Sequence, residues 1–374
     1  MKKGFKFLFS IIAVYLLFVA VAKIAFPDSE KREIKPFYKY GYVDKTGKLI
    51  IKPQFDEAGE PIDERLAALS LDKNCGFIDK TGKFVIKPKF DQIGNFSEGL
   101  ASFKKNKALG YEHIRDDIDW ASFAKNRACG YINKTGRVVI NPEFSYCGEF
   151  SEGLADVRTL DYKCGYINKT GKLVINNLPS LSFPSKFIDG LASIKINRKY
   201  GFIDKTGKVV IEPQFEDLVR GFDGGLADVK LSNKWGLIDK TGKFVIKPKY
   251  NEYIHFYEGF ANVKINQKYG YIGKNEQILI KPQFDKAGRF REGLAPVILN
   301  NKQGYINKLG KIVICPQFNR HHIPNYPGFY EGLAAVNVNN KVGFINKKGI
   351  LVIKPEFDEV TNFSEGLVKV GVKK

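Results

Sequence analysis

From residue 27 onward the apolar positions alternate with polar ones in short runs separated by turns, and helical periodicity is weak throughout. In Ile51-Lys52-Pro53-Gln54-Phe55 this alternation puts Ile51, Pro53 and Phe55 on one face and Lys52 and Gln54 on the other. The same run returns as Ile211-Glu212-Pro213-Gln214-Phe215 and as Ile353-Lys354-Pro355-Glu356-Phe357. Proline cannot donate to a ladder, so its position should end the strand or lie on an edge.

Around this run a unit of about 35 residues recurs nine times, which identifies a repeat architecture whose units bury apolar surface against their neighbours. Each unit opens on a glycine, at Gly41, Gly76, Gly130, Gly165, Gly201, Gly236, Gly270, Gly304 and Gly343. An Asp/Asn-Lys-Thr-Gly turn usually follows, as at Asp44–Gly47. Its first residue and its glycine suit a type I turn with a left-handed bulge that closes a β-hairpin. The seventh unit departs here with Gly273-Lys274-Asn275-Glu276. After the proline run comes a polar loop, and Glu-Gly-Leu-Ala then begins a strand, as at Glu98–Ala101 and Glu292–Ala295. The unit reads as a three-stranded antiparallel meander, with a loop crossing to the next unit.

Trp235-Gly236, the turn Asp239-Lys240-Thr241-Gly242, the Ile-x-Pro-x-Phe run and Glu-Gly-Leu-Ala together resemble the bacterial WG-repeat family over residues 38–374. The tryptophan survives only at Trp235. Tyr40, Cys75, Cys129, Cys164, Tyr200, Tyr269, Gln303 and Val342 stand in its place. The resemblance implies a β-rich repeat protein, often of the cell envelope and largely without assigned biochemistry, and it carries over no catalytic residue.

The fold class is therefore all-β. Propeller blades usually have four strands and number about four to eight. Nine three-stranded units instead favour an open β superhelix or solenoid, with a closed propeller-like ring as the alternative. Closure would follow if the leftover strand Glu365–Val370 completed the first unit, a role for which residues 34–39 compete.

Composition agrees with a packed array: 44% of residues are hydrophobic and 13% aromatic, which excludes disorder as the main state. Residues 1–26 differ from the rest. Lys2, Lys3 and Lys6 precede an apolar run from Phe7 to Ala22, and Ala20-Val21-Ala22 offers a cleavage site. This is a signal peptide or, extended through Phe26, a single-pass membrane anchor, with residues 27–37 as a linker and the repeats outside the cytoplasm. Five cysteines leave an odd thiol. Cys75, Cys129 and Cys164 share the slot before the opening glycine. They read as small buried substitutes there or, more sharply, as a Cys129–Cys164 bond between adjacent units, leaving Cys147 and Cys315 as free thiols.

The net charge of +20 falls on turn lysines, among them Lys45, Lys80, Lys205 and Lys240. In register these would form basic rows able to hold a polyanion, or they simply solubilise turns and guard strand edges. No nucleic-acid motif, metal-ligand spacing, cofactor motif or small-molecule site is present. Glu98, Glu152, Glu258, Glu292, Glu331 and Glu365 are candidates for a glycosidase pair, but each occupies the same slot of its unit, which points to turn chemistry.

Departures from the repeat are better site candidates. Residues 101–131 contain a partial duplication around Glu112, His113, Arg115, Asp116, Asp117, Asp119 and Trp120, an acidic stretch in a basic chain. A second insertion holds Arg320, His321, His322 and Tyr326. Such insertions often carry the binding surface of a repeat array. The expected function is a non-enzymatic, envelope-associated binding or scaffold protein for a protein or anionic cell-wall polymer. The alternatives are a polyanion-binding module and an envelope polysaccharide hydrolase.

Overall fold

The hairpin turns form as their sequence dictates. Asp44 Oδ1 accepts hydrogen bonds from the backbone N–H of Thr46 at 2.9 Å and of Lys48 at 3.0 Å, while Gly47 takes φ 84°. In the seventh unit Glu276, at φ 61°, fills the left-handed place of the glycine. A computed structural model describes residues 38–60, 66–104, 128–176, 178, 184–319 and 328–373. The N-terminal segment, the acidic stretch 112–120 and the insertion 320–326 lie outside the described residues. Among the described residues no helix is long and apolar enough to cross a membrane.

The unit carries one more strand than its sequence suggests. In the sixth unit Asp217–Leu218, Leu226–Leu231, Lys234–Asp239 and Phe244–Tyr250 are hydrogen-bonded in that order. The two-residue strand follows directly on the proline strand of the unit before. Twice the proline strand continues into it unbroken, at Val138–Cys147 and Ile312–Asn319, so nine units make seven sheets. The fifth and seventh units keep three strands.

The opening glycine is explained by the proline strand. Trp235 pairs with Tyr250 and Leu237 with Ile246, so four residues of the proline strand span two of its partner and bulge over Gly236. A Cβ there would lie 2.5 Å from the Ile246 carbonyl oxygen and 2.8 Å from the Pro248 nitrogen. The proline strand thus runs through its proline instead of ending there.

The units close into a ring, so the open superhelix is not what forms. The first unit is assembled from both ends of the chain: Leu49–Phe55, Tyr38–Asp44, Leu367–Lys373 and Glu359–Val360 share one sheet. Apolar packing shows the same closure. Each unit presents a buried aromatic or aliphatic residue after its glycine to the unit that follows, as in Phe202 against Phe222 with ring centroids 4.8 Å apart. Nine such clusters are present among the described residues, where an open stack of nine units would have eight. The ninth joins Phe344, Ile353 and Phe357 to Val43, Val368 and Val370. This contact gives the last unit a neighbour and leaves no end face to cap.

The cysteine pairing also differs from expectation. Cys129 bonds to Cys147, with Cα atoms 6.0 Å apart, and Cys164 is a buried free thiol. Cys129 pairs across the hairpin with Phe144, and the strand carries Cys147 only three residues further on. The slots holding Cys129 and Cys164 belong instead to successive units.

Candidate functional site

The recurring Glu-Gly pair is a two-residue turn closed by reciprocal hydrogen bonds, as between Ser97 and Leu100. Both turn residues are left-handed: Glu98 has φ 53° and Gly99 has φ 86°. A non-glycine residue there costs about 1–2 kcal/mol. The carboxylate offsets this cost by reaching the next unit. Glu98 accepts the Gly153 N–H at 3.1 Å and pairs with Lys169 at 3.0 Å. Burial pushes the Glu98 carboxyl up, but Lys169 and the Gly153 N–H outweigh it and hold its pKa below the usual value.

This belt decides the status of the turn lysines. Lys45 pairs with Glu331 at 2.9 Å, Lys80 with Glu365 at 2.6 Å and Lys205 with Glu152 at 3.0 Å. Lys240 has no carboxylate partner among the described residues, because the preceding unit offers the shorter Asp189, which accepts the Gly225 N–H at 2.8 Å. Most of the basic row is therefore already matched by acid from a neighbouring unit.

The residue just before this glutamate separates one arc of the ring from the rest. Ser97 and Ser151 each donate to a phenylalanine carbonyl of the following unit, Phe150 and Phe187, at 2.6 Å. Ser364 holds the equivalent slot in the first unit. The sixth to ninth units instead carry Asp223, Tyr257, Arg291 and Tyr330. Arg289 donates to the Tyr257 hydroxyl at 2.6 Å, and Arg220 approaches the same oxygen at 3.4 Å. The Arg289 guanidinium lies 4.4 Å from the Tyr257 ring centre. That of Arg291 sits between Tyr257 and Tyr330, at 5.3 and 4.5 Å. None of the three arginines pairs with a carboxylate among the described residues. Two guanidinium nitrogens sharing one phenol oxygen lie within about 6 Å of each other. At an effective dielectric of 20 their mutual repulsion alone is about 3 kcal/mol, and the nearby Asp228 offsets part of it.

His255 forms the acidic edge of the arc. Its Nδ1 is 3.0 Å from Asp228 and its Nε2 3.2 Å from Asp223, with its ring 4.6 Å from that of Tyr257. Asp228 is 3% exposed, and its Oδ1 has no hydrogen-bond partner among the described residues. Burial raises the Asp228 pKa against the opposing pull of His255, Arg220 and Arg289.

Two cavities flank this edge because the seventh unit lacks the short fourth strand. One, of about 310 Å³, opens between residues 250–253 and the strand Ala261–Ile265, where that strand pairs in other units. The other, of about 200 Å³, is lined by His255, Asn262, Lys286 and Arg289.

The loop candidates chosen from sequence fall outside the described residues, although the insertion 320–326 leads into Gly328 and Tyr330 of this arc. Arg220, Asp228, His255, Tyr257, Arg289, Arg291 and Tyr330 are not among the candidates that the sequence offers. Aligning the slot before Glu-Gly across the units would have exposed the Tyr-Arg-Tyr run.

Known proteins place the fold. No curated protein matches the chain in sequence. A crystal structure of a eukaryotic initiation factor superposes with a TM-score of 0.55 at 11% identity, covering 87% of this chain and 97% of that one, a likeness of fold alone. BamB from Moraxella catarrhalis, 12% identical, gives 0.39 over 84% and 98%. The family model described as WG containing repeat matches residues 40–75, 76–107, 130–164, 200–235, 235–269, 269–302, 304–341 and 343–374, passing over the fourth unit, whose loop lacks the Ile-x-Pro-x-Phe run. Eight matches over most of a ring built from that repeat identify the chain as a member of the WG containing repeat family.

Proposed function

We propose that this protein is a non-enzymatic binding scaffold of the cell envelope, exported by its N-terminal segment and presenting a rigid β ring to a protein or cell-wall polymer. The observation that carries this reading is the division of labour in the repeat. Its recurring Glu, Lys, Gly and aromatic residues are committed to contacts between units, whereas Tyr257, Arg289, Arg291 and Tyr330, which do not recur, meet on one arc. The Cys129–Cys147 bond suits an oxidising compartment. Two measurements test the reading. Alkaline phosphatase fused after Lys374 should be active, which requires export. Pull-down with the tagged full chain from intact envelopes should recover a protein or polymer, and recovery of neither overturns the scaffold.

Capture of a polyanion by lysine rows draws on the net charge of +20 and on Lys240, which has no carboxylate partner among the described residues. It predicts binding that weakens sharply between low and moderate salt and is lost on charge reversal of Lys45, Lys80, Lys205 and Lys240. Hydrolysis of envelope polysaccharide needs two facing carboxylates. The glutamates of the belt are individually engaged, and the pair brought together, Asp223 and Asp228, is bridged by His255.

A further inference from the structure

We infer that Arg220, Arg289 and Arg291, with Tyr257 and Tyr330, form a docking site for an acidic peptide segment of a partner protein. The inference rests on the binding-scaffold reading and names the chemistry of its site. Three features of the arc support it. No carboxylate of the described residues lies within ion-pair distance of its guanidinium groups, and the buried Asp228 offsets only part of the charge of Arg220 and Arg289, so a carboxylate arriving from outside would relieve the remaining repulsion. The Arg289 and Arg291 groups lie on tyrosine faces, which fixes their planes before any ligand arrives and leaves N–H edges for two-pronged contact with a carboxylate.

The third feature is the residue chemistry, which favours a protein over a phosphate polymer. Arginine and tyrosine dominate the energetic centres of protein interfaces, where lysine is depleted. The lysines that would trail a polyanion are largely matched by the glutamate belt. Beside the arc, the cavity of about 200 Å³ is lined by Lys286 and Arg289 together with Glu252, whose carboxylate accepts from the Tyr269 hydroxyl, and offers room for a neighbouring side chain of the peptide. The frame does not need Tyr257, Arg291 or Tyr330, since serine fills the same slot in three other units.

The test is fluorescence anisotropy with the full chain in detergent and a labelled, acetylated and amidated octapeptide of alternating Glu and Phe. The matching Lys–Phe octapeptide and inorganic polyphosphate serve as comparators. The acidic peptide should bind and the basic one should not. Arg289→Ala and Arg291→Ala should each weaken binding about tenfold or more. Arg291→Lys should lose most of that affinity too, because it keeps the charge but not the planar fork. If Arg289→Ala fails to fold, Tyr330→Ser and Arg291→Gln provide the same readout with thermal midpoints unchanged. Absence of acidic-peptide binding, equal binding by the variants, or displacement by polyphosphate at lower concentration than by unlabelled peptide would overturn the site. An envelope partner recovered equally by wild type and Arg291→Ala sinks this inference and spares the scaffold. Recovery of nothing by either sinks the scaffold itself.

Discussion

The third and fourth units and the seventh to ninth units share one frame and differ at one slot. Ser97 and Ser151 use it to bond the next unit, while Tyr257, Arg291 and Tyr330 turn it into a stacked cationic surface. The difference separates two kinds of residue in a repeat protein: those that make the ring, which recur, and those that the ring carries, which do not. If this division holds, variants of the frame should lower stability, and variants of the arc should change binding and leave stability nearly intact.

The largest expected effect comes from opening the ring. Deleting residues 365–374 removes Leu367, Val368 and Val370, all buried, the two valines in the cluster between the ninth and first units. At about 1.5–3 kcal/mol for each buried aliphatic side chain, the loss is comparable with the whole stability of a domain, about 5–15 kcal/mol. The truncated protein should have no cooperative thermal transition by circular dichroism. A transition that survives with slightly reduced amplitude would mean that the units behave as an open stack.

Next is the frame glycine. A methyl group at Gly201 would meet the Ile211 carbonyl oxygen at 2.5 Å and the Pro213 nitrogen at 2.7 Å, both backbone atoms that side-chain rotation cannot move. Gly201→Ala should cost about 3 kcal/mol in urea denaturation. The opening glycine stands out in the sequence, but its reason does not, because the bulge that crosses it depends on register between two strands.

Other features divide along the same line. The period, the hairpins and the three long strands are legible, since each has its own alternation and turn residues. The fourth strand is not, because two residues such as Asp217–Leu218 carry no pattern. Closure was open from sequence because Glu365–Val370 fits both a ring and an unfinished array. Its pairing with the first unit is a contact between chain ends that no local pattern encodes. The disulfide departs from the sequence pattern for a related reason: Cys147 lies on the continuation of a strand that its proline alone would end. The arc escaped notice because its arginines and tyrosines come from four units and meet only in the ring.

A smaller effect belongs to the belt. Glu98→Gln removes a half-exposed ion pair with Lys169 and weakens a bond to Gly153, worth about 1 kcal/mol in total. The folded pKa of Glu98 lies below its ordinary value of 4.5. Its ionic contribution is therefore present above that value and is lost as pH falls through the depressed folded pKa. The stability gap between wild type and Glu98→Gln should be widest at pH 7 and shrink steadily below about pH 4.5 in urea titrations. A gap independent of pH would place the contribution in packing instead of charge.

The smallest effect on stability, and the sharpest test of the comparison, is Tyr257→Ser. The substitution gives the seventh unit the residue that the third and fourth units use, and in those units the hydroxyl donates to a phenylalanine carbonyl of the following unit at 2.6 Å. The equivalent acceptor is the carbonyl of Phe290, whose side chain is already buried against Tyr271. A new hydrogen bond of about 1 kcal/mol would offset much of the lost stacking of Arg289, so the midpoint of unfolding should move by no more than about 0.5 kcal/mol. Binding should respond quite differently. Without the phenol, Arg289 and Arg220 lose the oxygen that gathers them, and Arg291 keeps only Tyr330 as a stacking face. Affinity for the acidic octapeptide should fall about tenfold or more while the denaturation curve hardly changes. A large loss of stability with unchanged affinity would reverse the assignment and make Tyr257 part of the frame.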